Sequence, residues 1–180
     1  MAILTTDILY KFSVKTGTAG NSTVGTAAGS LGKYISTTAW AGGTLHDLFD
    51  VVTGDENAAS VVDYRGIFIH NAHASLVLTA PFLWITAETA GGATLTLATD
   101  NIAASAIGAS AAQEAEIATE ITAPTGVSAF SGPTTKATGL ALSDIAAGSC
   151  KGIWLKRAAA NTVALDSDGA TIRVEGDTAA

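Results

Sequence analysis

The sequence predicts an all-β protein: an antiparallel β-sandwich, immunoglobulin-like or jelly-roll in strand order, of about seven to nine strands with at most short helices. Three observations predict it. Ile8-Leu9-Tyr10-Lys11-Phe12-Ser13-Val14-Lys15 sets Ile8, Tyr10, Phe12 and Val14 on one side and Lys11, Ser13 and Lys15 on the other, the two-residue period of a half-buried strand. The same alternation returns in short runs along the chain. Gly, Pro, Asn and Asp turns bound those runs, as in sandwiches.

In chain order, Thr16 to Gly32 follows the first strand and is made almost wholly of Gly, Ala, Thr, Ser and Asn, with glycines at Gly17, Gly20, Gly25 and Gly29. It reads as a long loop or a flexible, extended arm over about 16–32. Lys33 to Trp40 is a short strand and Gly42-Gly43 a turn. Within Thr44 to Val52, Thr44 is placed to cap a helical turn carrying Leu45, Leu48 and Phe49. Gly54-Asp55-Glu56-Asn57 is a polar turn, Tyr64 to Asn71 a strand and Asn71 to Ala74 a connector. Leu76 to Glu88 is extended, and Pro81 demands an edge, a bulge or a break there because it has no backbone donor. Gly91-Gly92 then turns the chain into Ala93 to Thr99, which predicts a hairpin. Asn101 to Ala112 is Ala-rich and is the second candidate helix. Glu114 to Ile121 alternates as a strand, with Glu114, Glu116 and Glu120 forming a charged outer face. Pro124 to Gly139 is a loop, Leu140-Ala141-Leu142 a brief pairing segment, and Ser149 to Ala158 a strong strand. Asp166-Ser167-Asp168-Gly169 is a hairpin-type turn leading into Thr171 to Glu175, whose Ile172 and Val174 share a face.

A chain of 180 residues makes one domain, 1–180, with one sizeable core. Hydrophobic residues are 48% and charged residues only 14%, against an average near 25% charged. The mean hydropathy is +0.37. No run approaches the roughly 18–20 apolar residues of a spanning helix, and no cationic segment followed by an apolar block opens the chain, so no signal peptide is expected. Large exposed apolar patches are rare on monomers, so a chain this poor in charge is expected in a homo-oligomer or larger particle. The net charge of −7 argues against nucleic acid, which needs a cationic face, and against an anionic membrane surface. Cys150 is the one cysteine, which excludes an intrachain disulfide and suits a reducing compartment; it reads as a small buried strand residue.

No motif supports catalytic, cofactor-binding or metal-binding residues, and none is assigned. His70 and His73 are three apart at a strand end and His46 is distant, without a cysteine to complete a zinc set. Asp166-Ser167-Asp168-Gly169 resembles the start of a calcium loop, but Ala170, Thr171 and Asp177 occupy the fifth, sixth and twelfth positions, where an acid, glycine and glutamate are needed. Gly17 to Gly25 has clustered glycines but no Gly-Lys-Ser/Thr to reach a phosphate, and there is no Gly-x-Ser-x-Gly elbow. Glycosidase chemistry would need two acids held across a cleft, and nothing selects such a pair. Trp84 and Trp154 lie in apolar strand segments and are expected in the core. Trp40, beside Ala41-Gly42-Gly43, is expected to be exposed, and with Tyr34 it offers a stacking surface for a sugar.

The stretch Asp63-Tyr64-Arg65-Gly66-Ile67-Phe68-Ile69-His70-Asn71-Ala72-His73-Ala74, preceded by the Gly54-Asp55-Glu56-Asn57-Ala58-Ala59 turn, resembles a segment of tailed-bacteriophage virion proteins. Asp7 to Lys15, the Gly/Ala/Thr arm, Leu31 to Ser36, Lys151 to Arg157 and the Gly176-Asp177-Thr178 tail resemble such proteins as well. The resemblance implies a small β-domain bound to a phage particle: a non-enzymatic capsid decoration (cement) protein, assembled in the host cytoplasm, without cofactor, whose partners are the major capsid protein or other virion proteins. A tail or neck protein of the same particle is the related alternative, and a carbohydrate or host-surface binding module is the rival. The Thr16–Gly32 arm, by strand addition to a neighbour, and the Asn71–Ala74 connector are the expected contact regions.

Overall fold

The computed structural model describes residues 2–163, 165 and 167–178. Its strands are β1 (Ile8–Val14), β2 (Tyr34–Ala39), β3 (Val62–Asn71), β4 (Leu78–Glu88), β5 (Thr94–Thr99), β6 (Ser105–Ala106), β7 (Leu140–Ala141), β8 (Ser149–Ala158) and β9 (Ala170–Thr178). The protein is an antiparallel β-sandwich, as the alternation predicts. A larger sheet has the order β2-β1-β3-β8-β5, with β6 continuing beside β8, and a smaller one the order β7-β4-β9. β3 and β8 pair over ten residues, from Val62 with Ala158 to Asn71 with Ser149, and form the spine of the larger sheet.

Between the sheets lies the main core. Ile67 and Ile69 of β3, Ile153 and Leu155 of β8, and Leu95 and Leu97 of β5 meet Leu83 and Ile85 of β4, with Ile8, Tyr10 and Phe12 of β1 at its margin. The opposite face of the larger sheet is also apolar. Phe68, Cys150 and Ile35 form one buried cluster there, and Trp154, Ala98 and Ile117 another. Such a face has to be covered, and the segments 16–33 and 100–131 cover it as an irregular third layer. Consequently Lys11 and Ser13, on the polar side of the β1 alternation, are buried and not in water.

Local chemistry explains several details. At Pro81 the β4–β9 register slips between Thr79 and Phe82, and Ala80 takes φ 44°, which is the bulge that proline demands. Thr53 caps a six-residue helix, α1 (Gly54–Ala59). Its hydroxyl accepts from the Glu56 N–H at 3.2 Å, and the Glu56 carboxylate accepts from the Thr53 N–H at 2.7 Å. The helix therefore stands where a polar turn is predicted, and the 44–52 stretch expected to be helical is irregular.

Four further expectations are corrected. Leu76–Glu88 and Ala93–Thr99 are not a hairpin: β4 belongs to the smaller sheet and β5 to the larger, so the chain arches across the core and Leu95 and Leu97 face Leu83 and Ile85. β8 and β9 likewise lie in different sheets, so the 166–169 turn closes no hairpin; Asp166 itself lies outside the described residues. The Ala-rich 101–112 segment holds only β6 and turns, because its backbone bonds to the β8 edge. The 114–121 segment is not a strand of either sheet; its only ladder contact is a bridge from Glu116 to Gly32.

If the third layer buries the outer face as a true core, Phe68→Ala will cost about 3–5 kcal/mol, comparable with about 2–5 kcal/mol for Leu97→Ala in the inter-sheet core. Denaturant unfolding of both variants checks this; a cost under about 1 kcal/mol for Phe68→Ala would be a surface-like value and would show the layer to be loose.

Candidate functional site

The third layer is held down by side chains, since its backbone forms few ladders. The Ser13 hydroxyl donates to the Gly66 carbonyl at 2.7 Å and accepts the Gly32 N–H at 2.9 Å, which anchors the end of the 16–32 segment. Farther along that segment, Asn21 and Thr23 bond to Ile35 and Thr37. The segment read as a long loop or an extended arm is a loop folded onto its own sheet. Gln113 acts as a four-way clamp. Its Oε1 accepts from the Ile35 N–H at 3.1 Å, and its Nε2 reaches Ala106 O, Ser105 Oγ and Cys150 Sγ at 2.8, 3.1 and 3.3 Å. Asp100 accepts from the Trp154 indole at 3.1 Å and from the Ala115 and Ile102 N–H groups at 2.7 and 2.8 Å. Lys151 donates to the carbonyls of Asp100 and Ile102.

Within this layer Glu114 is 1% exposed, and neither carboxylate oxygen has a hydrogen-bond partner. It lies flat on the sheet at Gly66 and Gly152: a Cβ at Gly66 would stand 2.5 Å from its Oε2, and one at Gly152 3.0 Å from its Cγ. Burial first, then the nearby Asp100 charge, push its pKa well above the carboxylate range; Lys151 and the Ile153 N–H oppose this without forming a geometrically good hydrogen bond. Its surroundings accordingly favour the protonated form of Glu114. The other two glutamates are ion-paired: Glu116 with Lys33 at 3.3 Å and Lys15 at 3.8 Å, and Glu120 with the buried Arg65. The predicted charged outer face does not exist as such. Burial lowers the pKa of His70, with Lys11 adding to the effect, and His70 Nδ1 has no partner. Burial also raises the Cys150 thiol to about 12, which makes it a packing residue.

One cleft of about 830 Å³ opens at the end of the sandwich where segments 40–54 and 159–172 pass. Tyr10, Trp40, Leu48, Phe49, Leu155 and Ile172 form much of its wall. Trp40 stands edge-on to Tyr10, with ring centroids 6.1 Å apart. Arg157 lies 4.9 Å over the Phe49 ring, and its guanidinium is already paired with Asp63 at 2.5 Å and Asp50 at 3.2 Å. The rim is apolar. Leu45, Val51, Val163 and Leu165 are 61%, 58%, 86% and 44% exposed, and they are four of the seven exposed large apolar side chains among the described residues. Asp47, Asp50 and Asp168 add negative charge. This arrangement is suited to contact: aromatic and aliphatic walls, a neutralised cation and an apolar lip.

The residues considered from sequence are not gathered there. Of the three histidines, His46 lines the cleft, His70 is buried in β3, and His73 Nδ1 accepts from the Ser75 and Leu76 N–H groups. No group of three His, Cys, Asp or Glu among the described residues is placed to hold a metal. Asp168 accepts from the Ala93 N–H at 2.6 Å and serves the loop. Trp84 and Trp154 are buried as predicted. Trp40 is half-buried with its indole N–H inside, and Tyr34 is buried with its hydroxyl on Ser110 O, so the pair makes no open stacking surface. The Asn71–Ala74 connector is pinned at one end, where Asn71 Nδ2 donates to Leu76 O and Ile145 O, while Ala72 and Ala74 are exposed. No helix among the described residues is long and apolar enough to cross a membrane.

Comparison with known proteins adds no relative: no protein-family model matches the chain, and searches of curated proteins and of solved structures returned no match.

Glu114 sets a pH dependence with a definite sign. Its folded pKa lies above the unfolded value of about 4.3, so the folded state holds the proton more tightly. The associated stability is complete below about pH 4.3 and declines as pH rises toward the folded pKa. Glu114→Gln has no proton to lose, so its unfolding midpoint relative to wild type is expected to climb between pH 4 and pH 8. A difference that stays flat or shrinks contradicts the assignment. Iodoacetamide at pH 8 is expected to leave Cys150 unlabelled in the native protein and to label it fully in urea.

Proposed function

We propose that the chain is a non-enzymatic structural protein of a bacteriophage particle, docking on the shell as a capsid decoration protein. The single observation that carries the docking reading is the apolar rim at one end of the sandwich, where Leu45, Val51, Val163 and Leu165 stand exposed around an aromatic cleft. Exposed apolar side chains gathered in one place mark a contact surface. The low proportion of charged residues agrees with it, since charge is depleted at the centre of interfaces. The particle enters through the resemblance of the 54–74, 7–36 and 151–157 segments to virion proteins, and the comparisons neither add to that resemblance nor subtract from it. Many copies on a symmetric shell would add avidity to a modest individual contact. A tail or neck position is the nearest alternative within the same reading.

The test uses empty phage capsids, with isolated phage tails as the second target. The purified protein is expected to cosediment with the capsids and to raise their melting temperature. A Leu45→Ser, Val51→Ser, Val163→Ser triple variant with unchanged circular dichroism is expected to lose both effects. Binding to tails alone moves the protein along the particle, and binding to neither structure overturns the proposal.

A further inference from the structure

Sheet edges are the other surface through which a sandwich makes contacts, because an unpaired strand displays a row of backbone donors and acceptors. In the larger sheet both edges are occupied from within the chain. Asn21 N–H bonds to Ile35 O and Thr37 N–H to Thr23 O beside β2. Along β5, Leu97 exchanges bonds of 2.8 and 3.0 Å with Ser131, and Ser128 N–H reaches Thr99 O. In the smaller sheet, β7 is two residues long, whereas β9 runs nine residues and pairs only with β4.

The direction of the β9 backbone groups follows from its neighbour. Ile85 gives its N–H to Pro133 O, and Pro81 O accepts from the Leu142 N–H, so these odd-numbered residues of β4 point away from β9. Ile85 is opposite Ile172 and Leu83 opposite Val174. Ile172 and Val174 therefore sit at non-hydrogen-bonded positions of that ladder and direct N–H and C=O outward. Tyr10 stands on that side, with the Val174 backbone near its hydroxyl. A groove of about 290 Å³ lies along this edge between Ile172–Glu175 and Thr5, Ile8 and Tyr10.

We propose that β9 is the pairing edge of a two-fold homodimer, in which β9 of one copy adds antiparallel to β9 of a second in the register centred on Val174. Val174 is the midpoint of Ala170–Thr178, so this register pairs the whole strand. It places Arg173 opposite Glu175 of the second copy, and Glu175 opposite Arg173. These are non-hydrogen-bonded positions, where side chains come closest, at about 4.5 Å between Cα atoms. Opposite charges facing each other there stabilise the pair. Within one copy, Arg173 holds one Glu175 carboxylate oxygen at 3.0 Å and Lys136 holds the other at 2.8 Å; Arg173 is exposed and Glu175 half-buried. Pairing adds an Arg173–Glu175 contact in each direction between the copies. Registers centred on Arg173 or on Glu175 keep the same backbone pairing but set Arg173 against Arg173 or Glu175 against Glu175. The edge is thus complementary to itself in one register, as an isologous interface requires, and the two smaller sheets become one six-stranded sheet.

Sedimentation velocity on the isolated protein tests this without any capsid, so its failure and that of the docking proposal are separate results. Wild type is expected to dimerise reversibly in the micromolar range. Arg173→Glu faces Glu against Glu and Glu175→Arg faces Arg against Arg, so each alone is expected to weaken dimerisation by about tenfold or more. An equal mixture of the two variants is expected to form a heterodimer, because each 173–175 contact is then between opposite charges. Val174→Pro removes the outward N–H, the one near the Tyr10 hydroxyl, and is expected to be monomeric with an intact β4–β9 ladder. A wild type that remains monomeric at hundreds of micromolar overturns the proposal. So does a dimer indifferent to Val174→Pro, or a mixture that pairs no better than its components.

Discussion

The larger sheet is apolar on both faces, and everything else about the molecule accommodates that fact. Ile67, Ile69, Ile153 and Leu155 point to the smaller sheet, while Phe68, Cys150 and Trp154 point the other way. A two-layer sandwich would leave Phe68 and Trp154 in water, at about 25 cal/mol per Å² of apolar surface. The chain supplies a third layer from segments that, apart from the two-residue β6, form neither helix nor strand. Coverage without regular structure brings a second problem: loop backbone laid over a sheet carries polar groups that must find partners. Ser13, Asp100, Gln113 and Lys151 answer it by bonding to main-chain groups of the layer, and all four are buried.

Charge inside this layer is managed in two ways. Asp100 and Lys151 keep company with several hydrogen-bonding groups, so the cost of removing them from water is met by specific contacts. Glu114 has no hydrogen-bond partner among the described residues, and its burial favours the protonated form. It is accommodated because two adjacent strands present glycine under it, Gly66 and Gly152, where any side chain would collide with the carboxyl. The same group that packs the layer thus gives it a stability that declines as pH rises toward the folded pKa of Glu114.

With both faces of the larger sheet and both of its edges engaged internally, two surfaces stand out for contact, the apolar rim at one end and the outer edge of β9. They differ in chemistry. The rim is aliphatic and aromatic, with Arg157 neutralised beside Phe49, and suits a partner that offers apolar side chains. The β9 edge offers backbone groups and alternating charge, and suits another strand. A protein that joins copies through one surface and a shell through the other has the two contacts that a decorated lattice needs.

The sequence by itself determined the strands with the strongest alternation or apolar content. β8 runs from Ser149 to Ala158 as read, β1 and β3 agree within two residues, and the Pro81 bulge is where proline requires it. These features depend on neighbours along the chain, so they are legible locally. Only the tertiary structure decided which sheet each strand joined. The 89–93 connection is as compatible with a hairpin as with an arch, and the choice rests on Leu95 and Leu97 meeting Leu83 and Ile85 across the core. It also decided that the polar side of β1 is interior, that Glu114 is buried and that 16–32 folds back. The sequence did hold a sign of this: glycine in the middle of two apolar strands, at Gly66 and Gly152, marks close approach by another segment. What it could not show was which segment: 16–32 has no period to declare a face, the alternation of 114–121 reads as a strand that neither sheet contains, and the placement of both follows from the surface they are required to cover.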